Sequence, residues 1–304
     1  VCRELGGGVS NTVILVDDPA GERFVLKQAL PQLRVEKEWL ADRSRIFRER
    51  DALEAAATLL PASWVPRILW SDDDRYLYAM EAFSPDARSW KEHLLAGDLP
   101  ADRARRVGVA LGLTIRESWG SAEMEQRFGD RTAFEQLRGD PYYGEIARRH
   151  SSIAQAVADW RGREVAVALT HGDWSPKNIM VDGERLVFID YECAHYGDPT
   201  FDSAFVLNHL LLKSVHLPHL RDEFLSLARI AFTWTTGVLP AEALKDFEAD
   251  TMRHLAFLML ARIDGKSPVE YLTDEAVRDR VRRTALRLIE RRPGTLGGVL
   301  ALLE

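Results

Sequence analysis

The sequence predicts an α+β fold in two unequal lobes, a small β-rich one followed by a larger, mainly helical one. Three observations carry this expectation. The chain has 304 residues, more than one core of ordinary size holds. Short β-branched and apolar runs divided by turn residues fill its first part, as strands do. Beyond residue 86 apolar positions recur at helical spacing almost throughout. The boundaries are expected at 1–80 for the first lobe, 81–86 for the connection and 87–304 for the second.

In chain order, 12–16 and 23–28 read as the two strands of a hairpin, because Asp17-Asp18-Pro19-Ala20-Gly21 between them is turn chemistry. Residues 42–60 predict a helix with Ile46, Glu49, Leu53, Ala56 and Leu60 on one inward stripe. Two more strands follow at 67–70 and 76–80. Ser89-Trp90-Lys91-Glu92 has the spacing of a capping box and opens the helical part. Helices are expected at 101–119, 141–150, 152–160, 202–212, 220–236, 241–260 and 274–291. One β interruption stands among them: a strand at 165–169, a polar loop, then a hairpin of 179–181 and 186–189 around Asp182-Gly183-Glu184.

Composition narrows the function. A net charge of −7 gives no general basic field for nucleic acid. The C-terminal arginines, diluted by Asp279 and Glu290, read as a solvated helix face. No apolar run is long enough to span a bilayer; the best, 204–212, contains Asn208 and His209. Cys2 and Cys193 have no metal-ligand spacing, and the expectation is a reduced, cytoplasmic protein.

The chemistry concentrates in the interrupted stretch. His171-Gly172-Asp173 is followed by Asn178 five residues after the aspartate, and the hairpin then ends in Asp190. This order is the catalytic-loop arrangement of kinases. A carboxylate beside an acceptor hydroxyl orients it and takes its proton, the role that fits Asp173. Magnesium bridging phosphate oxygens takes hard oxygen ligands, here Asn178 and Asp190, with Glu192 as a further carboxylate. His171 is expected to brace the loop by hydrogen bonding.

On His171-Gly172-Asp173, Asn178, Asp190-Tyr191-Glu192 and Gly197-Asp198-Pro199 with Asp202, the chain resembles the aminoglycoside phosphotransferase/choline kinase superfamily. The resemblance implies a protein-kinase-like two-lobe fold, ATP and Mg2+ as cofactors, and a small-molecule hydroxyl as acceptor. Within the superfamily, 24–31 and 42–46 are similar to methylthioribose kinases, which suggests a methylthioribose-like sugar. An aminoglycoside-type antibiotic kinase is the alternative, and a nucleotide-binding pseudokinase the alternative of another class. Asp198 and Asp202 are expected to support the loop structurally.

On the nucleotide side, Gly7, Gly8, Ser10 and Asn11 precede a strand and suit a phosphate-covering turn. Lys27 on the next strand would reach the phosphates. Glu49 faces inward among apolar neighbours and so needs a cation; Lys27 is the natural partner, with Arg45 and Arg50 as others. Met80, Glu81 and Phe83 fall where the lobe connection would meet adenine. Trp174, Tyr196 and Arg262 are substrate candidates by location alone.

Overall fold

A computed structural model describes residues 1–5, 11–17, 21–32, 34, 40 and 42–303. In its first lobe, β1 (Cys2–Glu4), β2 (Asn11–Asp17), β3 (Arg23–Ala29), β4 (Ile68–Asp72) and β5 (Leu77–Glu81) form an antiparallel sheet in the order β1-β2-β3-β5-β4. Side chains alternate across a strand, so Val25, Lys27 and Ala29 share one face of β3, and all three are buried. Helix α1 (Arg45–Leu59) packs beside the sheet with Ile46, Glu49, Leu53 and Ala56 buried. It starts three residues later than the sequence predicts, because Asp42 Oδ1 accepts the Ser44 amide at 2.8 Å and turns the chain first.

The larger lobe opens on β6 (Arg88–Ser89) and α2 (Trp90–Leu95). The expected capping box is present: Glu92 N donates to Ser89 Oγ at 3.2 Å and Ser89 N to Glu92 Oε2 at 2.8 Å. Then come α3 (Ala101–Ser118), α4 (Ala122–Phe128) and the short α5 (Thr132–Phe134). The expected helix at 141–150 is replaced by a π-helix over Glu135–Gly144 that runs into α6 (Glu145–Arg149). Pro141 is the physical reason. It has no N–H to give the Leu137 carbonyl four residues back, and the wider turn accommodates its ring.

After α7 (Ala154–Arg161) come β7 (Ala168–Thr170), β8 (Ile179–Asp182), β9 (Arg185–Phe188) and β10 (His195–Gly197). β8 and β9 are the expected hairpin, widened by β6, while β10 pairs with β7. Helices α8 (Thr200–His216), α9 (Arg221–Thr236), α10 (Ala241–Leu244), α11 (Phe247–Asp264), α12 (Glu275–Arg291) and α13 (Leu296–Leu303) complete the lobe. α8 is buried all round from Thr200 to Ser214 and forms the axis of the core. α3 and α9 approach closely at Gly108, where an added Cβ would collide with the Ala231 carbonyl oxygen. The single helix expected at 241–260 is two, because Asp246 takes a left-handed φ of 60° that aspartate tolerates better than most residues. Among the described residues no helix is long and apolar enough to cross a membrane.

Candidate active site

The catalytic loop runs from the end of β7 to the start of β8 and is held from below by α8. Asp202, in the first turn of α8, accepts the His171 amide at 2.6 Å and the Gly172 amide at 2.9 Å. Burial pushes its carboxyl up to about 7, partly countered by these N–H donors. Gly172 has φ 76°, and a Cβ there would meet the Cys193 carbonyl oxygen at 2.6 Å, so the position needs glycine twice over. His171 is buried, with Nδ1 accepting the Asp173 amide at 3.2 Å and Nε2 bonded to the Ile189 carbonyl at 3.0 Å. Burial pulls the imidazole down to about 4, which keeps it neutral and able to accept on one side and donate on the other.

Asp173, Asn178 and Asp190 converge through the backbone. Asn178 Nδ2 donates to the Asp173 carbonyl at 3.0 Å, and the Asn178 carbonyl accepts the Ile189 amide at 3.0 Å. With Nδ2 committed, the Asn178 amide presents its oxygen. Asp190 has φ 70°, and its Oδ1 meets Lys27 Nζ at 2.5 Å. The other side of Lys27 meets Glu49 Oε1 at 2.6 Å. Burial alone would lower the Lys27 ammonium, but Asp190 and Glu49 raise it well above its usual range. Burial pushes Glu49 up to about 7 against the pull of Lys27. Burial also works against ionised Asp190, yet Lys27 and Lys177 hold its carboxyl low. Two carboxylates therefore contact one ammonium.

The carboxylate of Asp173 is not free. Arg138 Nη2 lies 2.5 Å and Lys177 Nζ 3.0 Å from the same oxygen, Oδ2. Burial would raise this carboxyl, but Arg138 and Lys177 overcome it and hold Asp173 well below the usual range. Arg138 is itself placed by the π-helix: its Nη1 donates at 2.6 Å to the Leu137 carbonyl, the acceptor that Pro141 cannot serve.

This geometry has relatives. A family model described as "Phosphotransferase enzyme family" matches residues 1–236. The chain belongs to that family. Among solved structures, the phosphotransferase is similar to the amicoumacin kinase hAmiN in complex with AMP-PNP, Ca2+ and Ami, at 13% identity over 97% of this chain and 90% of that one, TM-score 0.59. It is similar at 13% identity to a Plasmodium vivax ethanolamine kinase, over 96% of this chain and 84% of that one, TM-score 0.57. A choline/ethanolamine kinase family protein from Mesorhizobium loti gives 18% identity over 100% of this chain and 92% of that one, TM-score 0.51. At these identities the likeness shows the fold, a kinase-like pair of lobes. A search of curated proteins finds no match.

The remaining site expectations for this phosphotransferase fall as follows. Gly7, Gly8 and Ser10 lie outside the described residues. Asn11 begins β2, and its Nδ2 donates to Glu192 Oε2 at 3.0 Å. Arg45 Nε meets the same oxygen at 3.3 Å, so Arg45 serves Glu192 and leaves Glu49 to Lys27. Met80 is buried at the end of β5, Phe83 is half-buried just beyond it, and Glu81 pairs with Arg67 at 3.1 Å and Arg185 at 2.8 Å. Asp198 Oδ1 accepts the Thr200 amide at 3.0 Å at the head of α8. Trp174 lies in the core, stacked on Phe188 with centroids 4.8 Å apart, which assigns it to packing. Tyr196 sits in β10 opposite Leu169, with its hydroxyl at the Gly120 backbone. Arg138, like Lys177, is a site residue that sequence reasoning missed. It stands 35 positions before Asp173, outside any motif, and its one local signal is the proline three residues on.

Proposed function

We propose that the protein is an ATP-dependent, magnesium-requiring kinase that transfers the γ-phosphoryl group to a hydroxyl of a small molecule. The observation that carries this reading is the convergence of Asp173, Asn178 and Asp190, with Lys27 bridging Asp190 to Glu49. Lys27 would contact the α- and β-phosphates. Asn178 and Asp190 would hold the metal. Among the described residues no group of three or more His, Cys, Asp or Glu forms a metal cage, so phosphate oxygens would complete the coordination. The ion, when bound, neutralises charge on the transferring phosphoryl group. Glu192, in this reading, serves as a bridge to Arg45 and Asn11 of the first lobe.

Asp173 orients the acceptor hydroxyl and takes its proton. The acceptor oxygen bonds to the γ-phosphorus, the bond to the β–γ bridging oxygen breaks, and ADP leaves. Because Arg138 and Lys177 keep Asp173 ionised, it is ready to accept at neutral pH. It is a weak base there, as befits a step in which positioning matters more than proton abstraction.

A methylthioribose-like sugar is the first neutral acceptor to assay, on the strength of 24–31 and 42–46. An aminoglycoside is less well supported. Of the acidic residues near 242–250, Glu248 accepts the Leu296 amide at 2.9 Å and Asp250 stands 3.9 Å from Arg253. The test is ADP release with ATP and Mg2+ over sugars, amino alcohols, hydroxy acids and aminoglycosides. Asp173→Asn is expected to cut kcat by roughly 10²–10⁴ while the Kd for MgATP stays within a few-fold. Full turnover in that variant sinks the assignment of the base.

A further inference from the structure

A transferring phosphoryl group spreads negative charge over three equatorial oxygens, and a cation placed beside them lowers the barrier. Lys27, read above as the contact to the α- and β-phosphates, is held between Glu49 and Asp190 with its side chain 7% exposed. Arg138 is held by Asp173 and the Leu137 carbonyl with its side chain 8% exposed. Arg262, a substrate candidate on sequence, gives Nη1 to the Tyr142 hydroxyl at 3.1 Å and to Ser267 Oγ at 3.0 Å. Each of these cations is already committed to two partners.

Lys177 differs from them. Its side chain is 47% exposed, and its Nζ lies 3.0 Å from Asp173 Oδ2. That oxygen keeps Arg138 Nη2 at 2.5 Å when Lys177 turns away, so Asp173 does not depend on the lysine for a counter-charge. The backbone sets where Lys177 stands. Ser175 N donates to the Asp173 carbonyl at 2.7 Å and Asn178 N to the Ser175 carbonyl at 2.9 Å, which folds Pro176–Asn178 into a single 3-10 turn. This turn returns Lys177 to the base four residues before it and sets it next to Asn178. The Asn178 carbonyl accepts the Ile189 amide at 3.0 Å, which brings Asp190 alongside, and the charges of Lys177 and Asp190 act on each other. The ammonium is thus in reach of both ends of the transfer: the base, where the acceptor oxygen lies, and the metal-side carboxylate, where the donor phosphates lie.

We propose that Lys177 is a further catalytic residue, whose ammonium bonds an oxygen of the γ-phosphoryl group in the MgATP complex and stays with that group as it passes to the acceptor. This rests on the kinase reading above and adds a residue to its site. The acceptor hydroxyl gives its proton to Asp173, and its oxygen bonds to the γ-phosphorus as the bond to the bridging oxygen of ADP breaks. A protonated Asp173 no longer attracts an ammonium, whereas the phosphoryl oxygens remain negative, so Lys177 passes wholly to them. The lysine stays protonated throughout: it supplies charge, and Asp173 takes the proton.

Nucleotide binding by the full chain tests this without an acceptor. Calorimetry compares Mg·AMP-PNP, which carries a γ-phosphoryl group, with MgADP, which lacks one. Lys177→Met changes an exposed side chain, so its Tm is expected to match the parent's. It should weaken Mg·AMP-PNP at least about tenfold, the worth of one charge-assisted hydrogen bond, and MgADP less than about twofold. Lys177→Arg keeps the charge and should recover most of the loss. The same comparison in an Asp173→Asn background shows whether Lys177 acts only through the base. The selective loss should persist there, where no carboxylate needs a counter-charge. With the best acceptor of the panel, Lys177→Met should lower kcat at least about tenfold and move the acceptor KM less than about threefold. An equal loss for both nucleotides, no loss for either, a loss that vanishes in the Asp173→Asn background, or an unchanged kcat overturns this inference and leaves the kinase reading standing. A parent protein that binds neither nucleotide overturns both.

Discussion

His171 shows how one side chain ties the catalytic loop to the metal-side hairpin. Its neutral ring accepts the Asp173 amide and bonds the Ile189 carbonyl, one residue before Asp190. Protonation would cost the Nδ1 acceptor. The folded value is about 4 against an ordinary value of 6.5, so the folded state favours the neutral ring. The stabilisation is therefore present in full above pH 6.5 and is lost as pH falls toward 4. Gln offers the same donor and acceptor without a titrating ring. Between pH 7 and 5 the unfolding free energy of His171→Gln should fall by ~2 kcal/mol less than that of the parent, as urea melts at the two pH values would measure. Identical pH dependence in the two proteins would show that the ring is not held neutral. His195 has a similarly depressed value, about 3, from burial, so parent and variant both keep some acid sensitivity.

At the scale of elements, the loop is set by Gly172 and the π-helix, and the two differ in how plainly the sequence declares them. Gly172→Ala would force a Cβ onto the Cys193 carbonyl at a left-handed φ. We expect a loss of roughly 2–4 kcal/mol in a denaturant melt and a fall in kcat of at least tenfold, because Asp173 is the next residue. Native-like stability in that variant would mean the loop has room that these contacts deny. The loop, the β8–β9 hairpin and the helices of the core were legible because each depends on local chemistry: turn residues, apolar periodicity, a capping box. The pairings β6–β8 and β7–β10 were not, since strands of two and three residues form only because a distant partner meets them. The π-helix was half legible. Pro141 marks a break, but nothing local says that the wider turn sets the Arg138 guanidinium between the Leu137 carbonyl and Asp173. Lys177 stood inside the motif and had no role until the fold set it against the same carboxylate.

Over the whole molecule, the lobes are joined at the cleft by Asp190 and Glu192, two residues apart on the connection between β9 and β10. Lys27 reaches Asp190, while Asn11 and Arg45 reach Glu192, so β2, β3 and α1 all fasten to that short stretch. In the larger lobe α8 packs against α9 and α11, and none of these bonds lies within that packing. Stability should therefore be uneven, with the first lobe the less protected. Glu192→Ala tests this. Arg45 is 2% exposed and would lose its carboxylate, keeping the Leu30 and Asp42 carbonyls at 2.8 Å, so the loss should be nearer 1–3 kcal/mol than the full cost of an abandoned buried charge. Amide hydrogen exchange should quicken tenfold or more in β3 and α1 and stay unchanged in α8 and α11. Saturating MgATP should restore much of the difference, because a ligand gripping Lys27 and Asp190 together stabilises the closed pair of lobes in place of Glu192. Exchange that quickened equally in α8 and α1 would show instead that the two lobes unfold as one unit, and that the cleft bonds are part of a single core.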